Sequence, residues 1–282
     1  MTNNALTTET QYATIDNKQI AYRKIGNGTP LILANRFRGT LDTWDPLFLD
    51  LLAENNTVVT FDYSGIGYSE GELPMDLHQV AAEVTKMADY LNFDKYFVGG
   101  WSYGGLIAQY ATFLYPTRVL GTVVIGSNPM GKNETALSPL FLEKALQPTY
   151  TPEDIITLFF EPTSAISATA GIASLQRIAQ RYDESKVPVK LEVLQRYFAV
   201  TEQLAVDADN FRDAYKTLQT PVLAVSGDND ISFAVENWFP LLKNAPTLQH
   251  VIFNAAGHAP HYQYPELVTT YIKTFINNTT KK

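Results

Sequence analysis

The chain has 282 residues, of which 45% are hydrophobic, 12% aromatic and 18% charged, with a formal net charge of −8 and no cysteine. Such apolar content excludes a disordered chain, and the length suits one large domain or two small ones, a size α/β folds often reach undivided. The missing cysteines exclude disulfides, thiolate metal sites and a cysteine nucleophile, and the acidic balance argues against partnership with a nucleic-acid backbone.

Residues 1–10 are polar and lack the basic start and apolar run of a secretory signal. Apolar runs such as 119–125 fall well short of the roughly 20 residues that cross a bilayer. A soluble, cytoplasmic protein without membrane insertion is expected, ending in a polar fringe over 277–282 that should fray.

In chain order, segments 12–15 and 19–25 read as a hairpin around Asp16 and Asn17, residues that tolerate the positive φ of a tight turn. The apolar run 30–34 reads as a buried strand, followed by a polar loop over 35–43. Residues 58–61 form another strand, ending in Asp62 and a glycine-rich turn. Between 75 and 92 the period changes: Val80, Val84, Met87, Ala88 and Leu91 recur at helical spacing. Residues 96–98 read as a strand, and Leu106, Ile107, Tyr110, Phe113 and Leu114 form a second helical stripe, stopped at Pro116. The β-branched run 119–125 is the next strand. From 131 to 216 no buried strand shows, and prolines punctuate helical stretches such as 171–182 and 191–205. Strands resume at 221–226 and 248–253, and 266–276 closes the chain as a helix. Strands alternating with helices predict a mostly parallel, doubly wound sheet. The expected division is a core of 1–130 and 217–282 interrupted by a helical insertion over 131–216.

The strongest chemical signal is Gly100-Trp101-Ser102-Tyr103-Gly104-Gly105, lying between a strand and a helix. A serine on so sharp a turn is held in a strained conformation with its hydroxyl exposed, and small flanking residues let the chain pass close to itself. Ser102 is therefore the candidate nucleophile. A base must come from four histidines. His78 starts an amphipathic helix and reads as solvated, and His250 sits within a strand. His258 follows the last strand directly, at the carboxyl end where open α/β sheets place their sites, and is favoured over its neighbour His261. Asp228 and Asp230, after the strand 221–226, both offer a carboxylate to orient the imidazole.

The order Ser102, Asp230, His258 resembles the α/β-hydrolase superfamily over essentially the whole chain, and this resemblance selects Asp230 over Asp228. The segment from Asp62 to Ser69 is similar to the family's Asp-x-x-Gly-x-Gly-x-Ser turn. Alone, Gly65-x-Gly67 could suggest a dinucleotide loop, but no helix opens directly behind it. The resemblance implies an oxyanion hole from the N–H groups of Phe37 and Tyr103. One departure stands out: Asn35-Arg36 replaces the His-Gly usual after the strand ending at Ala34. Arg36 could recognise a substrate carboxylate or polarise the oxyanion. The blander expectation, preferred here, is an ion pair of Arg36 or Arg38 with Asp42, Asp45 or Asp62 that positions the loop.

The insertion is expected to roof the site, with Phe141, Tyr150, Phe159, Phe160, Tyr182, Tyr197 and Phe198 either lining it or forming a small core of their own. No metal or other cofactor is called for. The activity implied is a serine hydrolase that cleaves a carboxylic ester or lactone through an acyl-enzyme on Ser102, acting on a small and apolar substrate. The alternatives are a C–C hydrolase or cofactor-free haloperoxidase with the same three residues, and a non-catalytic receptor. A Ser at the elbow disfavours epoxide hydrolases and haloalkane dehalogenases, whose nucleophile is normally Asp.

Overall fold

The computed structural model describes residues 4–281, and at 201 and 202 the backbone alone. Residues 1–3 of the polar start and residue 282 lie outside the described residues. The hairpin forms between β1 (Gln11–Ile15) and β2 (Lys18–Ile25). Asp16 and Asn17 both take positive φ, 49° and 61°, as a two-residue hairpin turn requires. Then follow β3 (Thr29–Ala34), α1 (Pro46–Ala53), β4 (Asn56–Phe61), α2 (Leu77–Tyr90), β5 (Tyr96–Trp101), α3 (Tyr103–Leu114) and β6 (Val119–Ile125). Five helices come next: α4 (Pro139–Ala145), α5 (Pro152–Phe159), α6 (Ala165–Ile178), α7 (Leu191–Val206) and α8 (Phe211–Ala214). The chain closes with β7 (Val222–Gly227), β8 (Leu248–Phe253), α9 (Pro260–Gln263) and α10 (Pro265–Thr280). Thus α10 takes in most of the tail expected to fray.

The eight strands make one sheet in the order β1-β2-β4-β3-β5-β6-β7-β8. Pairing is antiparallel at β1/β2 and β2/β4 and parallel from β4 onward. A parallel sheet needs crossover connections and has both faces covered, so its strands read as unbroken apolar runs. Along β3 the faces alternate. Ile32 and Ala34 pack with Val80, Val84 and Met87 of α2. Leu31 and Leu33 pack with Phe48 and Leu52 of α1 and Ile272 and Phe275 of α10.

Helix α1 was not foreseen, because the sequence from Pro46 to Ala53 is apolar nearly all round and shows no stripe. Its start is well specified: Asp45 caps it by accepting the Leu47 N–H at 2.9 Å, and Pro46 occupies the first turn. The same buried Asp45 carboxylate pairs with Arg177 of α6 at 2.6 Å and accepts the Ser174 hydroxyl at 2.7 Å. It therefore ties the helical segment between β6 and β7 to the rest of the molecule.

A second tie is a correction to the expected ion pair. Arg38 has no carboxylate partner among the described residues. Its guanidinium donates instead to four carbonyls of the helical segment: Pro188 at 2.9 Å, Ala145 at 3.0 Å, Gln147 at 2.6 Å and Pro148 at 2.9 Å. Three of these lie at or just beyond the C-terminus of α4, where carbonyls lack helical partners and carry partial negative charge. The expected acids are engaged elsewhere: Asp42 pairs with Arg23 at 2.6 Å, Asp45 with Arg177, and Asp62 with backbone N–H groups. Arg38 is almost fully buried, so its charge is compensated by these aimed dipoles and by the Tyr150 ring, whose centre lies 4.6 Å from the guanidinium carbon.

Arg38→Met should leave those carbonyls unpaired. The expected cost is about 3 kcal/mol or more, a fall in Tm on the order of 10 °C by thermal melting. A melting temperature equal to the wild type's would remove Arg38 from this role.

Candidate active site

Strand β5 runs into α3 with one residue, Ser102, between them. Ser102 has φ 61° and ψ −121°, a positive-φ conformation outside the left-handed helical region and costly for any residue with a Cβ. What forces it is the closeness of the surrounding backbone. A Cβ on Gly104 would lie 2.0 Å from the Ala34 carbonyl oxygen, and one on Gly100 would lie 2.0 Å from that of Gly104. The Ser102 side chain does not cap the helix, and it lines a narrow pocket that His258 also lines.

His258 is held from several sides. Its Nδ1 lies 2.8 Å from Asp230 Oδ2, and both side chains are buried. A carboxylate only accepts, so the proton sits on Nδ1 and Nε2 keeps a free lone pair. The other oxygen, Asp230 Oδ1, accepts the N–H groups of Ser232 at 2.7 Å and Phe233 at 2.9 Å, fixing the carboxylate's orientation. The His258 carbonyl accepts the Trp101 indole N–H at 2.8 Å. Asp228 plays a different part: it accepts the Ala256 N–H at 3.2 Å and braces the loop that carries His258.

The remaining histidines stand apart from this arrangement. His78 contacts Asp76 at 3.0 Å and Asp209 at 2.9 Å, a partly paired surface position rather than a merely solvated one. His250 lies in β8, 3.0 Å from the Ser226 hydroxyl, and burial lowers its pKa to about 4. His261 is fully buried among Trp44, Phe48, Trp101 and Tyr262, and neither ring nitrogen has a partner. Burial, reinforced by His258 nearby, holds its pKa well below the usual histidine range.

Phe37 and Tyr103 both flank Ser102 along one cavity wall. The N–H of Tyr103 is the first of α3 and has no partner within the helix. Phe37 sits in a turn closed by the Gly39 N–H on the Arg36 carbonyl at 2.9 Å, with Arg38 at positive φ, 56°. The turn is anchored by Asn35 and Asp62. The Asn35 amide donates to the Phe61 carbonyl at 2.9 Å and to Asp62 at 3.2 Å, and its oxygen accepts the Trp44 indole N–H. Asp62 also accepts the N–H groups of Leu41 at 2.8 Å and Tyr68 at 2.9 Å. Burial pushes Asp62 up to about 7, against the pull of those N–H groups. Asn35 as a hub was missed in the sequence. The reason is that only the fold shows it: Leu33 pairs with Thr60 in parallel register, so Asn35 and Asp62 end adjacent strands side by side.

Arg36 also lacks the expected acid. Its Nη1 donates to the Phe37 carbonyl at 2.7 Å, and the guanidinium carbon lies 5.2 Å from the Trp101 ring centre and 4.8 Å from that of Phe159. Its Nε is buried and unpartnered.

Two larger cavities meet at the pocket shared by Ser102 and His258. One, of about 450 Å³, is lined by Ser102 itself with Leu106, Phe141, Tyr197, Phe198 and Phe233. The other, of about 740 Å³, lies beyond Arg36 and is lined by Tyr150, Phe159, Phe160 and Tyr182. All seven aromatics of the insertion singled out in the sequence therefore face a cavity rather than forming a separate core.

A mostly parallel sheet with a strained serine at a strand-to-helix elbow, and a carboxylate-held histidine over the same pocket, defines an α/β-hydrolase architecture. Residues 29–265 match the alpha/beta hydrolase fold family, and the chain belongs to it. Among curated relatives, the pimeloyl-[acyl-carrier protein] methyl ester esterases of Aliivibrio fischeri and Aliivibrio salmonicida are 25% and 27% identical. Each alignment covers 89% of this chain, and 95% and 93% of the respective relative. An alpha/beta hydrolase fold protein from Chitinophaga pinensis superposes with a TM-score of 0.83 at 27% identity, over 97% of this chain and 99% of its own. The protein is an α/β-hydrolase enzyme. Among the described residues no helix is long and apolar enough to cross a membrane.

The burial of His261 gives a pH prediction. Its folded pKa is depressed, so the stability it permits is present above about pH 6.5, the unfolded value, and is lost as pH falls below it. His261→Phe should flatten the acid limb of stability by up to about 1.4 kcal/mol per pH unit and retain activity. Melting curves between pH 4.5 and 8 check this. Equal slopes in variant and wild type would refute the buried neutral state, and inactivation of the variant would point to His261 as the base.

Proposed function

We propose that this protein is a serine hydrolase that cleaves carboxylic esters through an acyl-enzyme on Ser102, with residues 131–216 as the cap that roofs the site. The observation that carries this reading is the strained Ser102, its hydroxyl left to a pocket shared with a histidine whose Nδ1 is fixed by Asp230. His258 Nε2 takes the Ser102 proton as Oγ attacks the ester carbonyl. Asp230 holds the imidazole in that tautomer and stabilises the imidazolium. The N–H groups of Phe37 and Tyr103 receive the oxyanion, where donors already in place cost no reorganisation during the reaction. His258 then returns the proton to the leaving alcohol, and water, deprotonated by the same nitrogen, releases the acid.

The relatives named above act on the methyl ester of an acyl chain carried on a protein. The part of that chemistry carried over here is an ester whose acyl or alcohol portion is largely apolar, matching the aromatic lining of the cavity beside Ser102.

A fluorophosphonate probe should label Ser102, and Ser102→Ala should abolish both labelling and ester turnover. His258→Ala should lower kcat by roughly 10³ or more, as loss of a base that acts together with its nucleophile does. Labelling at another residue, or full turnover by Ser102→Ala, would refute the assignment.

A further inference from the structure

We infer that Arg36 forms a carboxylate-binding subsite, so that the preferred substrates are esters carrying a free carboxylate on the portion that enters the larger cavity. This rests on the hydrolase reading for the place of the reacting ester and on independent geometry for the anion.

Arg36 stands where the small pocket of Ser102 and His258 opens into the 740 Å³ cavity, and it lines both. Two aromatic faces, Trp101 and Phe159, hold the guanidinium without using its N–H groups. One N–H group is used, by the Phe37 carbonyl. Nε is sealed from solvent with no acceptor among the described residues, and so lies out of a ligand's reach. Nη2 has no partner among the described residues and is not sealed in this way, so it is the donor left to the cavity, a charge-assisted contact for a carboxylate oxygen.

The neighbouring charges leave this role to Arg36. Arg38 lines the same cavity, but its donors are taken by four carbonyls. The one acid in that lining is Glu184, an exposed residue of the 3₁₀ turn Glu184–Lys186 that makes no ion pair with Arg36. Around Arg36 the groups that act on its charge are the hydroxyls of Tyr150, Tyr182 and Tyr262 and the Arg38 cation, with burial the largest influence. A neutral ester can bury its chain in either cavity. Only an anionic one also neutralises Arg36.

The decisive measurement is calorimetric binding to Ser102→Ala, which needs no turnover. The ligands are half-esters of straight-chain dicarboxylic acids and neutral esters of the same length. The half-esters should bind roughly ten- to a hundredfold more tightly, the range expected for a charge-assisted hydrogen-bonded pair away from water. In Ser102→Ala/Arg36→Met that preference should vanish, and in Ser102→Ala/Arg36→Lys, which keeps the charge without the guanidinium, it should return in part. Equal affinities in Ser102→Ala, no binding of any half-ester, or a preference that survives Arg36→Met would each overturn the subsite. In the Ser102-containing enzyme, an Arg36→Met loss that falls equally on kcat for neutral and anionic esters would also overturn it, assigning Arg36 to the oxyanion. If the Met variant fails to fold, the Lys variant decides the comparison. Turnover persisting in Ser102→Ala would refute the hydrolase assignment while leaving the binding comparison intact.

Discussion

Almost everything at the centre of this protein hangs from the buried carboxylate of Asp62. It closes the end of β4, receives N–H groups from Leu41, Tyr68 and Asn35, and so fixes two loops against each other. One of those loops carries Arg36, Phe37 and Arg38 within three residues. Isolated at such depth, a carboxylate is expensive to keep charged, and burial raises its pKa to about 7. The hydrogen bonds oppose that rise and supply what water would otherwise provide. The site's geometry therefore depends on a group that belongs to no chemical step.

From this anchor the remaining order follows. The turn at Phe37 can face Ser102 only because β3 and β5 are neighbours in parallel register, with Ala34 opposite Gly100. The absence of side chains at Gly100 and Gly104 lets α3 start against the Ala34 carbonyl. Strain at Ser102 is thus supported by backbone packing on two sides, which a packed interior sustains far better than a loop does. His258 is carried on a loop braced by Asp228, with its imidazole set by Asp230.

Much of this was legible in the sequence because it depends on local pattern. All eight strands are legible, the first two as a hairpin whose turn at Asp16 and Asn17 has its two left-handed residues, and the elbow glycines announce a close approach. Choosing Asp230 over Asp228 needed the family resemblance, since both follow the same strand and only the folded chain shows which one faces His258. What the residues could not convey was pairing between distant segments. Arg36 and Arg38 have acids nearby in sequence, and an ion pair was the natural expectation. Yet Asp42 and Asp45 are claimed by Arg23 and Arg177, from β2 and from a helix more than a hundred residues on. Four backbone carbonyls as the partner of a cation leave no trace in side-chain pattern. Helix α1 went unseen for a related reason: apolar nearly all round, it has no polar face to set a period.

The carbonyl clamp on Arg38 also differs in kind from the salt bridge it replaces. An ion pair dissolves when its carboxylate takes up a proton, whereas amide oxygens do not titrate in any range where a fold survives. The clamp is therefore indifferent to acidity. It is indifferent to substitution at its acceptors as well, because the gripped groups are main chain and persist whatever side chains occupy residues 145, 147, 148 and 188. The helical segment can thus vary its cavity-facing side chains widely while its attachment beside Phe37 stays the same. The segment's attachment and its cavity-facing side chains are therefore separable properties of this molecule.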